Sequence, residues 1–126
     1  MLKSKVLVVD DEDAIRFLLA SELEAEAFEV QSAGDGDEAI ELIRAKGEQA
    51  DKFDIILLDI KMPRVDGFEV LRYVKGSVPE TKVIMVTAYA DVKNAIESLR
   101  LGASDFVSKP YDLDDILTSI NRALGK

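Results

Sequence analysis

The chain has 126 residues, is 48% hydrophobic, and carries a formal net charge of −9 with neither cysteine nor histidine. That length and apolar content suit one domain with a real core, while the missing side chains exclude disulfides, thiolate or imidazole metal ligation and histidine-based catalysis. The negative balance speaks against nucleic acid and anionic membrane surfaces as direct partners, since phosphate is held by Lys and Arg, and no apolar run approaches membrane-spanning length.

The opening Met1-Leu2-Lys3-Ser4-Lys5 is too short for a signal peptide and leads directly into an apolar run, so a cytoplasmic location is expected. Val6-Leu7-Val8-Val9 is continuously apolar and rich in β-branched residues, the pattern of a strand buried on both faces of a parallel sheet. Asp10 and Asp11 end it, and Ile15, Leu18, Leu19 and Leu23 then recur with helical period. Phe28-Glu29-Val30-Gln31-Ser32-Ala33 alternates apolar and polar, as a half-exposed edge strand does. Ala39, Ile40 and Ile43 mark a second helix, with Asp35 as its N-cap and Glu38 three residues on. The connection from Lys46 to Phe53 is longer than is usual in α/β units and reads as a surface insertion.

Ile55-Ile56-Leu57-Leu58 is a second buried strand and ends at Asp59. Phe68, Val70, Leu71 and Val74 mark a third helix ending near Gly76. Val83-Ile84-Met85-Val86 is a third buried strand and ends at Thr87. Val92, Ile96 and Leu99 form the apolar stripe of a fourth helix, capped by Asp91 and stopped by Gly102. Asp105–Ser108 is a short edge strand closed by Lys109-Pro110. Leu113, Ile116, Leu117, Ile120 and Leu124 mark a fifth helix, with Asp112 at its start and Gly125 after its end.

Five βα units in succession imply a parallel sheet with helices on both faces, and right-handed crossovers leave few topologies. Three central and two edge strands fit the doubly wound order 2-1-3-4-5 of flavodoxin-like folds. In that order Asp10, Asp11, Asp59, Thr87 and Lys109 all fall at the carboxyl ends of strands, where ligands of open α/β sheets bind. Taken singly, each has a simpler role as a helix cap, turn former or solvated charge, but independent caps would not all gather at one sheet edge. Three carboxylates together repel unless a cation neutralises them, and oxygen-only ligands favour a hard cation such as Mg²⁺, which Mn²⁺ can replace. Thr87 and Lys109, on the other side of Asp59, can bind oxygens of a transferring phosphoryl group. Asp59 then suits the role of nucleophile, and the small Ala88 leaves an access path.

These residues resemble the receiver domain of two-component response regulators, of the CheY type, across essentially the whole chain, so residues 1–126 read as one receiver domain. The resemblance rests on Val8-Val9-Asp10-Asp11-Glu12, on Leu57-Leu58-Asp59-Ile60-Lys61-Met62-Pro63 with Asp66-Gly67, on Val86-Thr87-Ala88, and on Gly102-Ala103-Ser104-Asp105-Phe106-Val107-Ser108-Lys109-Pro110. It implies that Asp59 accepts a phosphoryl group from a sensor histidine kinase or phosphotransfer protein, or from a small phosphodonor. It further implies that Asp11, Asp59 and the backbone carbonyl of Lys61 ligate Mg²⁺, with Asp10 acting largely through water. Lys109 would pair with Asp59 and then with the phosphoryl group, Thr87 would move to a phosphoryl oxygen, and Phe106 would be the switch aromatic. The Lys109-Pro110 bond would be cis. Lys61 and Tyr89 occupy variable flanking positions and are expected to shield the acyl phosphate, slowing self-dephosphorylation. The expected output surface is the fourth helix, fifth strand and fifth helix, acting on an output domain or partner protein, with phosphorylation-linked dimerisation as one form of output.

Three other readings fit these residues less well. A Mg²⁺-dependent aspartyl-phosphate phosphatase of the haloacid dehalogenase type needs a second Asp two residues after the nucleophile, where this chain has Lys61. A non-phosphorylated interaction module would have no use for the intact acidic set, Thr87 and Lys109. A flavodoxin-like electron carrier is disfavoured by Asp10-Asp11-Glu12-Asp13, which would repel the FMN phosphate.

Overall fold

The computed structural model describes residues 3–46 and 52–126. The long connection read between Lys46 and Phe53 lies mostly outside the described residues.

Five strands, β1 (Lys5–Val9), β2 (Glu29–Ala33), β3 (Ile55–Leu58), β4 (Lys82–Thr87) and β5 (Asp105–Ser108), alternate with five helices, α1 (Asp13–Ala25), α2 (Gly36–Lys46), α3 (Gly67–Ser77), α4 (Val92–Arg100) and α5 (Leu113–Ala123). The strands form one parallel sheet in the order β2-β1-β3-β4-β5. All of β3 and nearly all of β1 and β4 are buried, whereas β2 and β5 are half-exposed, as their sequence patterns require.

Period-two alternation divides the central strands between two cores. Leu7, Val9, Ile56, Leu58, Val83 and Met85 pack with α2 and α3, whose Ala39, Ile43, Val70, Leu71 and Val74 are buried. Val6, Val8, Ile55, Leu57, Ile84 and Val86 pack with Leu19 and Leu23 of α1 and with Ile116 and Ile120 of α5. The cap assignments hold in detail. Asp35 accepts from the Glu38 amide at 2.8 Å and Asp91 from the Asn94 amide at 2.8 Å. Gly102 follows α4 at φ +102°, a conformation that favours glycine. Helix α3 runs through Gly76 to Ser77, one residue past its expected end.

Two helical stripes depart from expectation. In α1, Leu19 and Leu23 are buried, but Leu18 is 63% exposed and Ile15 only partly covered. In α4 the helix is turned the other way: Val92, Ile96 and Leu99 are 74%, 51% and 55% exposed, and Ser98 is buried. Ser98 satisfies its hydroxyl within the helix by donating to the Asn94 carbonyl at 2.8 Å, which makes its burial inexpensive. Helix α4 therefore lies on the sheet through small and polar side chains and leaves its apolar side outward.

Candidate functional site

Strand register brings the acidic residues together. Val9 is level with Leu58, so the next residues, Asp10 and Asp59, leave neighbouring strands at the same edge. Carboxylate oxygens of Asp10, Asp11 and Asp59 lie within 4.8 Å of one another, with Asp10 and Asp59 buried and Asp11 exposed. The turn that presents them is tightly held. Asp10 Oδ1 accepts from the Glu12 amide at 2.9 Å, and Arg16 Nη1 donates to the Asp10 carbonyl at 2.8 Å while Nη2 reaches Asp13 at 2.7 Å.

Lys109 supplies the internal counter-charge. Its Nζ lies 2.6 Å from Asp10 Oδ2, 2.9 Å from Asp59 Oδ2 and 3.8 Å from Glu12. Burial on its own would lower the pKa of this ammonium, but hydrogen bonds to the Asp10 and Asp59 carboxylates outweigh it and raise the pKa. One ammonium cannot balance three carboxylates, and it does not reach all their oxygens. Asp59 Oδ1 is buried and has no hydrogen-bond partner among the described residues. An orphaned carboxylate oxygen costs on the order of 1–3 kcal/mol or more, and a cation placed among Asp10, Asp11 and Asp59 would satisfy it. An all-oxygen donor set with an exposed side fits a hydrated Mg²⁺.

Thr87 is fully buried at the end of β4, and its Oγ1 accepts from the Tyr89 amide at 3.2 Å. That contact uses a lone pair and leaves the hydroxyl hydrogen free to donate. Ala88 and Tyr89 are exposed above it. The Lys61 ammonium lies 5.5 Å from the centre of the Tyr89 ring, so the two flanking residues meet. Phe106 is partly buried on the α2–α3 side of the sheet. The Lys109-Pro110 peptide is cis.

The structure thus brings Asp10, Asp11, Asp59, Thr87 and Lys109 to one sheet edge, while Phe106 lies within β5, level with Met85 and two residues back from Ser108, the partner of Thr87. Two contributors were not evident from the sequence. Arg16 turns inward from α1 to brace the Asp10 carbonyl, and its spacing from Asp13 is the only local sign of that. Gly67, quoted only as part of a motif, packs against the Asp59 carbonyl and lies so close to Ile60 that a Cβ would come within 2.8 Å of its Cα. Beside Lys109 a groove of about 580 Å³ opens between α1 and the start of α5, lined among others by Ile15, Leu18, Ala88, Pro110 and Tyr111.

Comparison with known proteins points the same way. A family model described as the response regulator receiver domain matches residues 6–121. The chain is 40% identical to the regulatory protein AtoC of Escherichia coli over 122 residues, which is 96% of this chain and 25% of that protein. It is 33% identical to sporulation initiation phosphotransferase F of Bacillus subtilis, covering 98% of this chain and 96% of that one. A CheY-like receiver domain structure from Methanospirillum hungatei superposes with a TM-score of 0.87 at 35% identity, covering 98% of this chain and 95% of the other. The chain spans a quarter of AtoC and about half of the B. subtilis regulator ResD, to which it is 38% identical.

Proposed function

The chain belongs to the response regulator receiver domain family of two-component signalling, and on that premise we propose that Asp59 is its phospho-acceptor, with residues 1–126 forming the receiver unit. The observation that carries this is the environment of the Asp59 carboxylate. One oxygen is held by Lys109 and the other is buried without a partner beside two further carboxylates. Such a group is poised to exchange its internal counter-ion for a metal and a phosphoryl group.

Asp10, Asp11 and Asp59, with the Lys61 backbone carbonyl, would hold Mg²⁺ or Mn²⁺, whose chemistry is to neutralise charge on the phosphoryl oxygens. An Asp59 oxygen attacks the phosphorus of a phosphohistidine; the O–P bond forms as the P–N bond breaks, and the electron pair stays on the leaving imidazole nitrogen. Lys109 Nζ then shifts from the carboxylate to a phosphoryl oxygen. The Thr87 hydroxyl, its hydrogen free, donates to another. The phosphoryl group adds roughly two negative charges, and these contacts favour whichever arrangement of β4, α4 and β5 lets Thr87 and Lys109 reach it. Phe106 follows Thr87 and carries the change to the α4-β5-α5 face, which addresses an output domain or partner protein or a second phosphorylated copy.

The donor would be a sensor histidine kinase or phosphotransfer protein. Its phosphohistidine must approach Asp59 past Ala88, and the groove lined by Ile15, Leu18 and Pro110 offers an apolar platform beside that approach. We read the domain as a regulator that catalyses its own phosphotransfer and a slow self-dephosphorylation. Lys61 stands two residues after Asp59, where a phosphatase of the haloacid dehalogenase type needs a second Asp as its acid and base.

The test is intact mass after incubation with Mg²⁺ and acetyl phosphate, comparing wild type with Asp59→Asn. A single phosphoryl adduct on wild type, abolished by EDTA and absent from Asp59→Asn, is expected. No adduct on wild type, or an equal one on the variant, would overturn the assignment.

A further inference from the structure

The loop between β3 and α3 carries the Lys61 carbonyl, and the structure fastens that loop at a point remote from the acidic cluster. Arg64, in the loop, has a left-handed backbone with φ +65°, a conformation that costs a non-glycine residue energy. Its guanidinium reaches across to the start of α2, where Nη2 lies 2.9 Å from Asp35 Oδ2 and Nε 3.0 Å from Asp37 Oδ2. Asp35 divides its carboxylate, one oxygen capping α2 at the Glu38 amide and the other holding Arg64. Both carboxylates hold the guanidinium pKa above its ordinary value, through the Asp37 hydrogen bond first and their charges next. Next to Arg64, Val65 lies over Gly36, where a Cβ would press on the Val65 carbonyl and come within 2.8 Å of Val65 Cγ1. At the loop's far end the Gly67 amide donates to the Ile60 carbonyl at 2.8 Å.

The loop is therefore closed on itself at Ile60–Gly67 and clamped to α2 at Arg64–Val65. We infer that Arg64 is a positioning residue for the metal site: its fork onto Asp35 and Asp37 offsets the strained backbone and fixes the loop whose Lys61 carbonyl completes the cation's ligands. The inference rests on the proposed reading of Asp10, Asp11, Asp59 and the Lys61 carbonyl as a Mg²⁺ site. A merely electrostatic role for Arg64 makes the opposite prediction. Removing a positive charge from a protein of net charge −9 should strengthen divalent-cation binding, whereas loosening the loop should weaken it.

The experiment is Mn²⁺ binding, read by electron paramagnetic resonance of free Mn²⁺, on the wild-type protein and on Arg64→Ala, Arg64→Lys and Asp59→Asn, each first shown folded by circular dichroism. Arg64→Ala is expected to bind Mn²⁺ about three- to ten-fold more weakly, below the usual range for removal of a direct partner of a ligand. Arg64→Lys, which keeps the charge but not the fork, should recover only part of the loss. The wild-type advantage over Arg64→Ala should shrink in molar salt, because the ion pairs are solvent-exposed. Equal or tighter binding by Arg64→Ala overturns the inference while leaving the metal site standing. Absence of Mn²⁺ binding by wild type, or binding unchanged in Asp59→Asn, overturns the reading of the site itself and the inference with it.

Discussion

Lys109 and Asp59 stand two strands apart in the sheet, yet the Lys109 ammonium lies 2.9 Å from Asp59 Oδ2. The lysine spans the end of β4 to do so, passing the buried Thr87, and shares its charge with Asp10 at 2.6 Å. Both partners are about nine-tenths covered, so the pair is held in a medium where a lone charge is costly.

The cost of breaking that pair depends on which partner is removed. Lys109→Ala leaves Asp10, Asp11 and Asp59 to repel one another, and should lower stability by about 2 kcal/mol in EDTA, less than for a sealed ion pair because Asp11 is open to solvent. Asp59→Asn removes one of the repelling charges and leaves Lys109 with Asp10, so it should cost little or stabilise. Urea unfolding with and without Mg²⁺ checks both: Mg²⁺ should restore much of the loss in Lys109→Ala and have little effect on Asp59→Asn.

Gly67 tests how closely α3 must approach the acceptor. An added Cβ would press on the Asp59 carbonyl and come within 2.8 Å of Ile60 Cα, and both are backbone atoms that cannot turn aside. Gly67→Ala should destabilise by about 2 kcal/mol, in the range for overpacking, and slow phosphorylation by acetyl phosphate because Asp59 is pushed out of line. Gly76→Ala is the control, since no atom of the described residues lies within 4 Å of a Cβ there, and it should be neutral or stabilising in its helix.

Helix α4 makes an unusual stability prediction. Ile96→Ser removes an apolar side chain that is half in water, so it should cost less than about 0.5 kcal/mol, as exposed substitutions do. Ser98→Leu forces a large group against the sheet and should cost on the order of 1–3 kcal/mol. Equilibrium denaturation that ranks the two the other way would show that the helix turns its apolar side inward in solution.

The same helix marks the limit of what the sequence makes legible. Strand order, both edge strands, the caps Asp35 and Asp91 and the gathering of Asp10, Asp11, Asp59, Thr87 and Lys109 follow from local patterns with one physical solution: buried β-branched runs, capping side chains, and polar residues at strand ends. Periodicity in α4 correctly marks a helix, but it cannot say which face meets the sheet when a small serine can satisfy its own hydroxyl. Leu18 shows the same limit in α1, where its stripe is wider than the surface available to cover it. The clamp at Arg64 joins residues from different elements, so no local pattern announces it, and the spacing of Arg16 from Asp13 is the one local sign of the bracing at Asp10.

Tyr111 gives the fold a dependence on alkaline pH. Burial raises its phenol above the ordinary value of 10.0, the negative charges of Asp10 and Glu22 adding to this and Lys109 opposing it. A group whose pKa is raised on folding contributes stability that is fully present below its unfolded pKa and is lost as pH climbs through its folded pKa. Between wild type and Tyr111→Phe, the difference in unfolding free energy should therefore be constant from pH 7 to about 9 and move in favour of Tyr111→Phe above pH 10. Urea melts of the two proteins across that range provide the check, and parallel curves would mean that the phenol is not desolvated.

The phosphoryl lifetime should depend on Lys61 and Tyr89 acting as a pair. They come from different loops, and the ammonium of one lies 5.5 Å from the ring centre of the other. A cation–π contact at an exposed site is worth about 0.5–1 kcal/mol, enough to keep the two together roughly two to five times as often as apart. If hydrolysis of the aspartyl phosphate requires them apart, the open fraction is about a third to a sixth in wild type, so Lys61→Ala and Tyr89→Ala should each speed decay by about three- to six-fold. The double variant should decay no faster than either single one, because each substitution alone already abolishes the contact. Decay can be followed by intact mass after removal of acetyl phosphate. Rates that multiply in the double variant would mean that each side chain acts alone on the attacking water, and rates equal to wild type in all three would mean that the pair does not guard the acceptor.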